Sequence, residues 1–189
     1  SPFAPPYKGG EGGGQALFGI VQGGNFKDLR EASARYIASL DFDGFGLGGA
    51  LGSSKKEMFK IISWVTPLLP PEKPRHLLGI GQLDDFEGAI KQGVDLFDCV
   101  FPMRLARHGV ALTATGKRIP IIKKEYALQN KPLEKHCPCL TCVNFTRAYL
   151  HHLFRAQEML GPRLATIHNI HVTIQVVKNL RQDILEDKI

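Results

Sequence analysis

Residues 16–49 read ALFGIVQGGNFKDLREASARYIASLDFDGFGLGG, and this stretch decides the fold. A short, continuous apolar run ends at Gly23–Gly24. A segment of helical spacing follows, with Leu29, Ala32, Tyr36 and Leu40 along one side. A second apolar run then ends at Gly48–Gly49. Apolar strands without in-and-out alternation are buried on both faces, and a helix between two such strands is the crossover of a parallel pair. The pattern repeats downstream. Ser53–Ser54 can cap a helix in KKEMFKIISWVTPLL, which Pro70–Pro71 close; RHLLGIG is a third strand, LDDFEGAIKQG a helix, and VDLFDCVFP a fourth strand. Four βα units in this rhythm predict an α/β fold, a parallel sheet covered by helices.

Three of the four strand ends carry glycines: Gly23–Gly24, Gly48–Gly49 and Gly79–Gly81. In parallel α/β folds the carboxyl ends of the strands hold the ligand, and glycine lets a flat ligand approach the backbone amides. Tight βα turns are the plainer explanation for any one of them. None forms a phosphate loop, since neither G-x-x-x-x-G-K-[ST] nor a G-x-G-x-x-G opening a helix occurs. Asp98 stands near the end of the fourth strand. A carboxylate in an apolar strand costs several kcal/mol unless it is paired or used. Arg104 and Arg107 follow closely and could pair with it. Asp95 begins the same strand, at the end where barrel active sites do not form.

After residue 108 the rhythm changes. VALTATGKRIPII reads as a β-hairpin about Thr115–Gly116. Then Cys137, Cys139 and Cys142 fall within six residues, in HCPCLTC. A turn this tight cannot pair all three as disulfides, and Cys99 lies apart in an apolar run, so no even disulfide framework arises. Thiolates with a neutral imidazole are the ligands of closed, four-coordinate zinc sites, and one structural zinc per chain is expected. The spacing leaves the fourth ligand open. His136 would have to fold back sharply, and His151 and His152 lie well along the following helix. His168 and His171 sit at i and i+3 in ATIHNIHVTI, so spacing does not separate them. A long helix is expected over VNFTRAYLHHLFRAQEML, stopped by Gly161–Pro162, and a last one from Leu164 to Leu185.

The chain has 189 residues, 43% of them hydrophobic, and a net charge of +6. That supports one globular core. No apolar stretch approaches a membrane span and no secretory signal is visible, so no membrane partner is expected. Clustered thiols suit a reducing, cytoplasmic setting. The positive balance admits a polyanion such as RNA, although ordinary solubility charge explains it equally. Residues 1–15, SPFAPPYKGGEGGGQ, hold three prolines and five glycines and read as a linker or disordered tail.

Taken together, ALFGIVQGG, GFGLGG, PRHLLGIG, GVDLFDCVFPMRLARHG, CPCLTC, FTRAYLHHLFRAQEMLG and LATIHNIH resemble the queuine tRNA-ribosyltransferases, or tRNA-guanine transglycosylases. The likeness runs from about Ala16 to about Leu185, and the step from Cys142 to His168 is similar to the bacterial type. It implies exchange of the wobble guanine in the anticodon loop of certain tRNAs for a 7-deazaguanine, queuine or its precursor. On this resemblance Asp98 is the nucleophile that attacks C1′ of the ribose and holds a covalent intermediate, with the logic of a retaining glycosidase. Gln22 matches the base-reading glutamine. Gly48 and Gly49 match the glycines whose backbone contacts the base, and Arg104 and Arg107 lie in the stretch that handles RNA. Cys137, Cys139, Cys142 and His168 match the zinc ligands.

The family's GGLAVGE is GGALGSS here, without its acidic residue, and PTR is Pro102-Met103-Arg104. These departures read as changes of specificity. The family fold is a (β/α)8 TIM barrel, which needs about 250 residues. The resemblance therefore implies the C-terminal half of such a barrel, over residues 16–108. An inserted zinc-binding helical subdomain, with the hairpin and the last helices, would occupy 109–189. The absent half would carry the second catalytic aspartate, so the isolated fragment is expected to be inactive. A homodimer, or a partner supplying the missing half, would complete the sheet. The alternative is a non-catalytic tRNA-binding or subunit-docking module, against which the presence of Asp98 argues.

Overall fold

The computed structural model describes residues 15–189, so the linker expected over residues 1–15 lies outside the described residues except for Gln15. These residues form two compact units, one running through Ile80 and including Gly88–Asp98, the other made of Gly81–Glu87 and Cys99–Ile189.

The first unit is a parallel sheet, β1 (Phe18–Val21), β2 (Gly44–Leu47), β3 (Arg75–Leu77) and β4 (Leu96–Phe97), in the order β1-β2-β3-β4. The register pairs Ile20 with Gly46, Gly46 with His76, and His76 with Leu96. Alternate strand residues therefore share a face. Val21, Phe45, Leu47 and Leu77 join a core completed by Ala34 of α1 (Lys27–Ala38) and by Met58, Ile61, Ile62 and Val65 of α2 (Lys55–Val65). The opposite face carries Ile20, Gly46, His76 and Leu96, and both Ile20 and Leu96 are exposed. Glycine is required on this face: a Cβ at Gly44 would stand 2.5 Å from the Phe18 ring.

Helix α2 starts as its sequence predicts. Ser54 Oγ accepts from Glu57 N, while the Glu57 carboxylate reaches back to Ser53 N at 2.7 Å, a near relative of the capping box. Helix α1 departs from expectation. Leu29, Ala32, Tyr36 and Leu40, the predicted apolar side, are exposed; the buried positions are Arg30 and Ala34, with Ile37 and Ala38 packed beside them. An arginine has taken an interior position, which rotates the buried face of the helix away from its most apolar stripe.

The third and fourth strands are shorter than their apolar runs. The fourth stops at Phe97, and Phe101 already begins α4 (Phe101–Arg107); the LDDFEGAIKQG segment contributes only the short α3 (Phe86–Ile90).

In the second unit β5 (Val110–Leu112) and β6 (Arg118–Pro120) form the expected antiparallel hairpin, with Gly116 at φ +79° in its turn. The long helix expected over 143–160 is instead α5 (Leu140–Asn144) and α6 (Arg147–Arg155). Phe145 is extended, and Thr146 Oγ1 accepts from Tyr149 N to restart the helix. Gly161 and Pro162 do not stop a helix. They lie in the first turn of α7 (Leu160–Leu185), where proline's missing N–H removes no helical bond. Ala111, Ile119, Ile121, Leu133, Leu150, Leu153, Leu164 and Ala165 form the core of this unit. Among the described residues no helix is long and apolar enough to cross a membrane.

The packing ranks two substitutions. Phe45→Ala, at a fully buried site, should lower unfolding stability by about 3–5 kcal/mol. Ser54→Ala should lower it by about 1 kcal/mol. Denaturant melts that reverse this order would show that the cap, and not the sheet–helix core, dominates.

Candidate catalytic carboxylate and metal centre

Asp98 directly follows β4, at the carboxyl end of the sheet and on the face shared by His76 and Leu96. Its Oδ1 accepts from Gly79 N at 3.0 Å and lies 3.0 Å from His76 Nε2. The imidazole nitrogen is buried, and its approach is off-line for a hydrogen bond. The carboxylate is not the buried group that its apolar surroundings imply: its side chain is 58% exposed. Nor is its counter-group an arginine. The side chain that faces it is that of His76, which sequence reasoning passed over inside RHLLGIG. A polar residue three positions before the strand-end glycine Gly79 in an apolar strand was the available signal. Asp95, at the other end of β4, accepts from Arg75 N at 2.8 Å and so fastens neighbouring strands.

The exits of β1 and β2 lie against each other. A Cβ on Gly49, whose φ is +74°, would be 2.6 Å from Gln22 Oε1, and one on Gly48 would be 3.8 Å from Gln22 Nε2. The structure thus brings Gln22, Gly48 and Gly49 together, with Gln22 and Gly49 exposed. Behind them lies Arg30, fully buried, donating to the carbonyls of Gly24, Val21, Gly48 and Ala50 at 2.7–3.1 Å. Burial pushes its pKa below the ordinary arginine value, yet a guanidinium stays charged under any ordinary condition. Arg104 and Arg107 are exposed on α4.

In the second unit the ligand atoms of Cys137, Cys139, Cys142 and His168 lie within 4.8 Å of one another. This separates His168 from His171, one turn further along α7. The three sulfurs stand 3.8, 3.4 and 3.3 Å from His168 Nδ1. A tetrahedral ion with bonds of about 2.3 Å to sulfur and 2.0 Å to nitrogen would set these separations near 3.5 Å, so the residues present fit such an ion. His168 Nε2 lies 2.7 Å from Leu112 O. That bond places the proton on Nε2 and leaves the Nδ1 lone pair facing the sulfurs, the usual outer support of a ligating histidine. The adjacent Asn169, also missed in the sequence, is fully buried and satisfied: Oδ1 accepts from Leu112 N, and Nδ2 donates to Pro102 O and Val110 O. Thr141 Oγ1 donates to Leu164 O, tying the cysteine turn to α7. Burial raises the thiol pKa values of Cys137 and Cys142 and lowers that of His168. The site therefore favours a neutral imidazole, but its thiols ionise readily only with a cation among them.

Residues 7–189 match the family described as Queuine tRNA-ribosyltransferase. The chain is 47% identical over 180 residues to a putative queuine tRNA-ribosyltransferase of Archaeoglobus fulgidus, covering 91% of this chain and 45% of that protein. It is 45% identical over 190 residues to the queuine tRNA-ribosyltransferase of a Roseiflexus species, covering 99% and 46%. With that of Lactiplantibacillus plantarum it shares 49% identity over 177 residues, covering 93% and 46%. The chain belongs to the queuine tRNA-ribosyltransferase family, and it spans about half the length of these relatives.

The pKa directions set different pH profiles with and without metal. In the metal-free chain the lowered His168 value costs stability as pH falls through 6.5, and the raised thiol values cost stability as pH rises through 9.0. Once a cation holds all four ligands deprotonated, the unfolded chain binds more protons below pH 9.0, so stability rises with pH up to that point. Thermal melts with added zinc and with chelator should therefore diverge increasingly as pH rises from neutral to 9 and beyond. Superimposable profiles would show that no metal engages the cluster.

Proposed function

We propose that this chain carries the nucleophile and the base-contacting loops of a tRNA-guanine transglycosylase. Asp98 Oδ2 attacks C1′ of the wobble nucleotide, an O–C1′ bond forms, and the C1′–N9 bond breaks, with guanine leaving on its electron pair and taking up a proton. N9 of an incoming 7-deazaguanine, losing its proton, then attacks C1′ and releases the carboxylate. Two displacements at one carbon retain its configuration.

The observation that carries this reading is the state of Asp98. Its Oδ1 is engaged by Gly79 N–H and faces His76, while the exposed carboxylate keeps its other oxygen available at the carboxyl end of a parallel strand. Gln22, Gly48 and Gly49 would read the base, and Arg104 and Arg107 would meet RNA phosphates. Zinc would be held by Cys137, Cys139, Cys142 and His168, where it would cross-link the cysteine turn to α7 and take no part in the exchange.

The sequential order β1-β2-β3-β4 supports a segment of a (β/α)8 barrel, because doubly wound sheets reverse strand order at a switch point. On this reading residues 16–108 form four βα units, and residues 109–189 the hairpin, zinc subdomain and final helices. A second copy, or a partner bearing the remaining strands, would pair with β1 and β4. The site of action would be the cytoplasm, where the tRNA is.

The test supplies the remainder of a family-length enzyme and follows the covalent tRNA adduct and guanine exchange. Asp98→Asn should abolish both, since an amide is a poor nucleophile. His76→Leu should slow adduct formation by about tenfold or more, the cost of one contact to an ionised group. Undiminished adduct in Asp98→Asn would make the chain a non-catalytic tRNA-binding module. The zinc assignment is tested alongside: His168→Ala should lose the metal and His171→Ala should keep it.

A further inference from the structure

Arg30 is an uncommon residue to find where it is. It has no exposed surface, and among the described residues its guanidinium meets only carbonyl oxygens. A buried cation without a carboxylate has to be surrounded by dipoles, and here four backbone carbonyls supply them. Their origin is informative. Val21 and Gly24 belong to the exit of β1, and Gly48 and Ala50 to the exit of β2. One planar fork on α1 therefore sets the backbone of both loops.

The consequence for the loops follows from peptide geometry. The Gly48–Gly49 peptide is trans, so its C=O and N–H point in opposite directions. Nη1 of Arg30 draws the Gly48 oxygen inward at 2.9 Å. The Gly49 N–H must then point away from the arginine, and among the described residues no acceptor is in place for it. A charge on the carbonyl side also polarises the peptide and makes its N–H a stronger donor. Nη1 of Arg30 also donates to Val21 O at 3.1 Å, while Gln22 N donates to Ser33 Oγ at 3.0 Å. The Val21–Gln22 peptide is thus held at both its carbonyl and its amide by residues of α1. Nη2 fixes Ala50 O at 2.7 Å, which anchors the same loop two peptides further along.

We propose that Arg30 is a positioning residue that aims the Gly49 amide, with Gln22 beside it, at the hydrogen-bonding edge of a flat purine-like base. This rests on the base site proposed above. Lysine cannot substitute, because a single ammonium lacks the fork that spans both loops.

The experiment labels the glycines of the whole chain with 15N and compares the native sequence with Arg30→Lys and Arg30→Gln. 7-Deazaguanine is the added probe. In the native chain the Gly49 amide should shift on titration. In Arg30→Lys, with Gly109, Gly116 and Gly161 signals unmoved, the Gly49 signal should move before any base is added, and affinity should fall at least tenfold. A Gly49 signal and an affinity both unchanged in Arg30→Lys would overturn the role of Arg30 and leave the base site standing. A native chain that ignores the base, with Gly49 still displaced in the variants, would overturn the base-binding role and spare only the orienting geometry. If both variants unfold, the native chain decides: scalar couplings across the hydrogen bonds from the Arg30 guanidinium to the Gly48 and Ala50 carbonyls are expected, and their absence refutes the proposal.

Discussion

A buried positive charge has to be answered within hydrogen-bonding distance, and the first unit is arranged around that requirement. Arg30 has no carboxylate among its polar contacts; it has the carbonyls of Val21, Gly24, Gly48 and Ala50. Strand ends in a parallel sheet leave carbonyls without ladder partners, and those groups must find donors or water. The arginine and the strand ends therefore answer each other's need. The glycines follow from the same constraint. Gly23 lies so close to α1 that a Cβ would stand 2.6 Å from Arg30 N, and Gly49 takes a φ of +74° against the Gln22 amide. Removing the guanidinium would strand several buried acceptors at once, a heavier loss than that of one hydrogen bond.

The second unit solves a similar problem with a neutral pair. His168 and Asn169 are consecutive on α7, both fully buried, and both bond the hairpin: one to Leu112 O, the other to Leu112 N and Val110 O. The hairpin thereby fixes the imidazole's tautomer, and the imidazole presents its free nitrogen to the cysteine turn. Arg147 fastens the preceding segment through the carbonyls of Pro132 and Leu133 and the side chain of Gln129. The cysteines are thus held near their ligand geometry by hydrogen bonds that do not depend on an ion. Metal binding then has to overcome mainly the raised thiol pKa values, and less the entropy of assembling the ligands.

What could be read from the sequence divides along the same lines. The parallel strands, the hairpin about Gly116, the cap at Ser54 and the clustering of three cysteines all follow from local patterns of period, turn residue and spacing. The misreadings came from residues whose role is set by distant partners. Leu29 and Tyr36 form a better apolar stripe than Arg30 and Ala34, and only the carbonyls of two other loops make the arginine the interior residue. The break at Phe145–Thr146 interrupts a sequence whose periodicity runs straight through it, because an N-cap threonine in a helical pattern looks like any other polar position. Asp98 seemed buried because its neighbours are apolar, but Phe97 faces the opposite side, Leu96 on its own side is exposed, and the strand ends one residue earlier. His168 could not be separated from His171 by spacing, since that choice is made by the hairpin across from α7.

On the base site proposed above, recognition in the loop between Gly49 and Ser54 would pass from side chain to backbone. It contains no acidic residue, and the carboxylate nearest in sequence, Glu57, is committed to the loop itself: it accepts from Ser53 N and Ser53 Oγ, bonds that hold its pKa below the ordinary glutamate value. Asn25, from the exit of β1, accepts from Gly52 N and closes the same loop from the other side. With Leu51 buried in the core, its other side chains small and its one nearby carboxylate engaged, the loop would offer a ligand chiefly its backbone amides. Those amides are directional only while their carbonyls are held. Arg30 on one side, and Asn25 with Glu57 on the other, are the groups that hold this loop in place. On the base site proposed above, a base with different substituents would be discriminated by fit against a fixed backbone, since residues 49–54 contain no carboxylate.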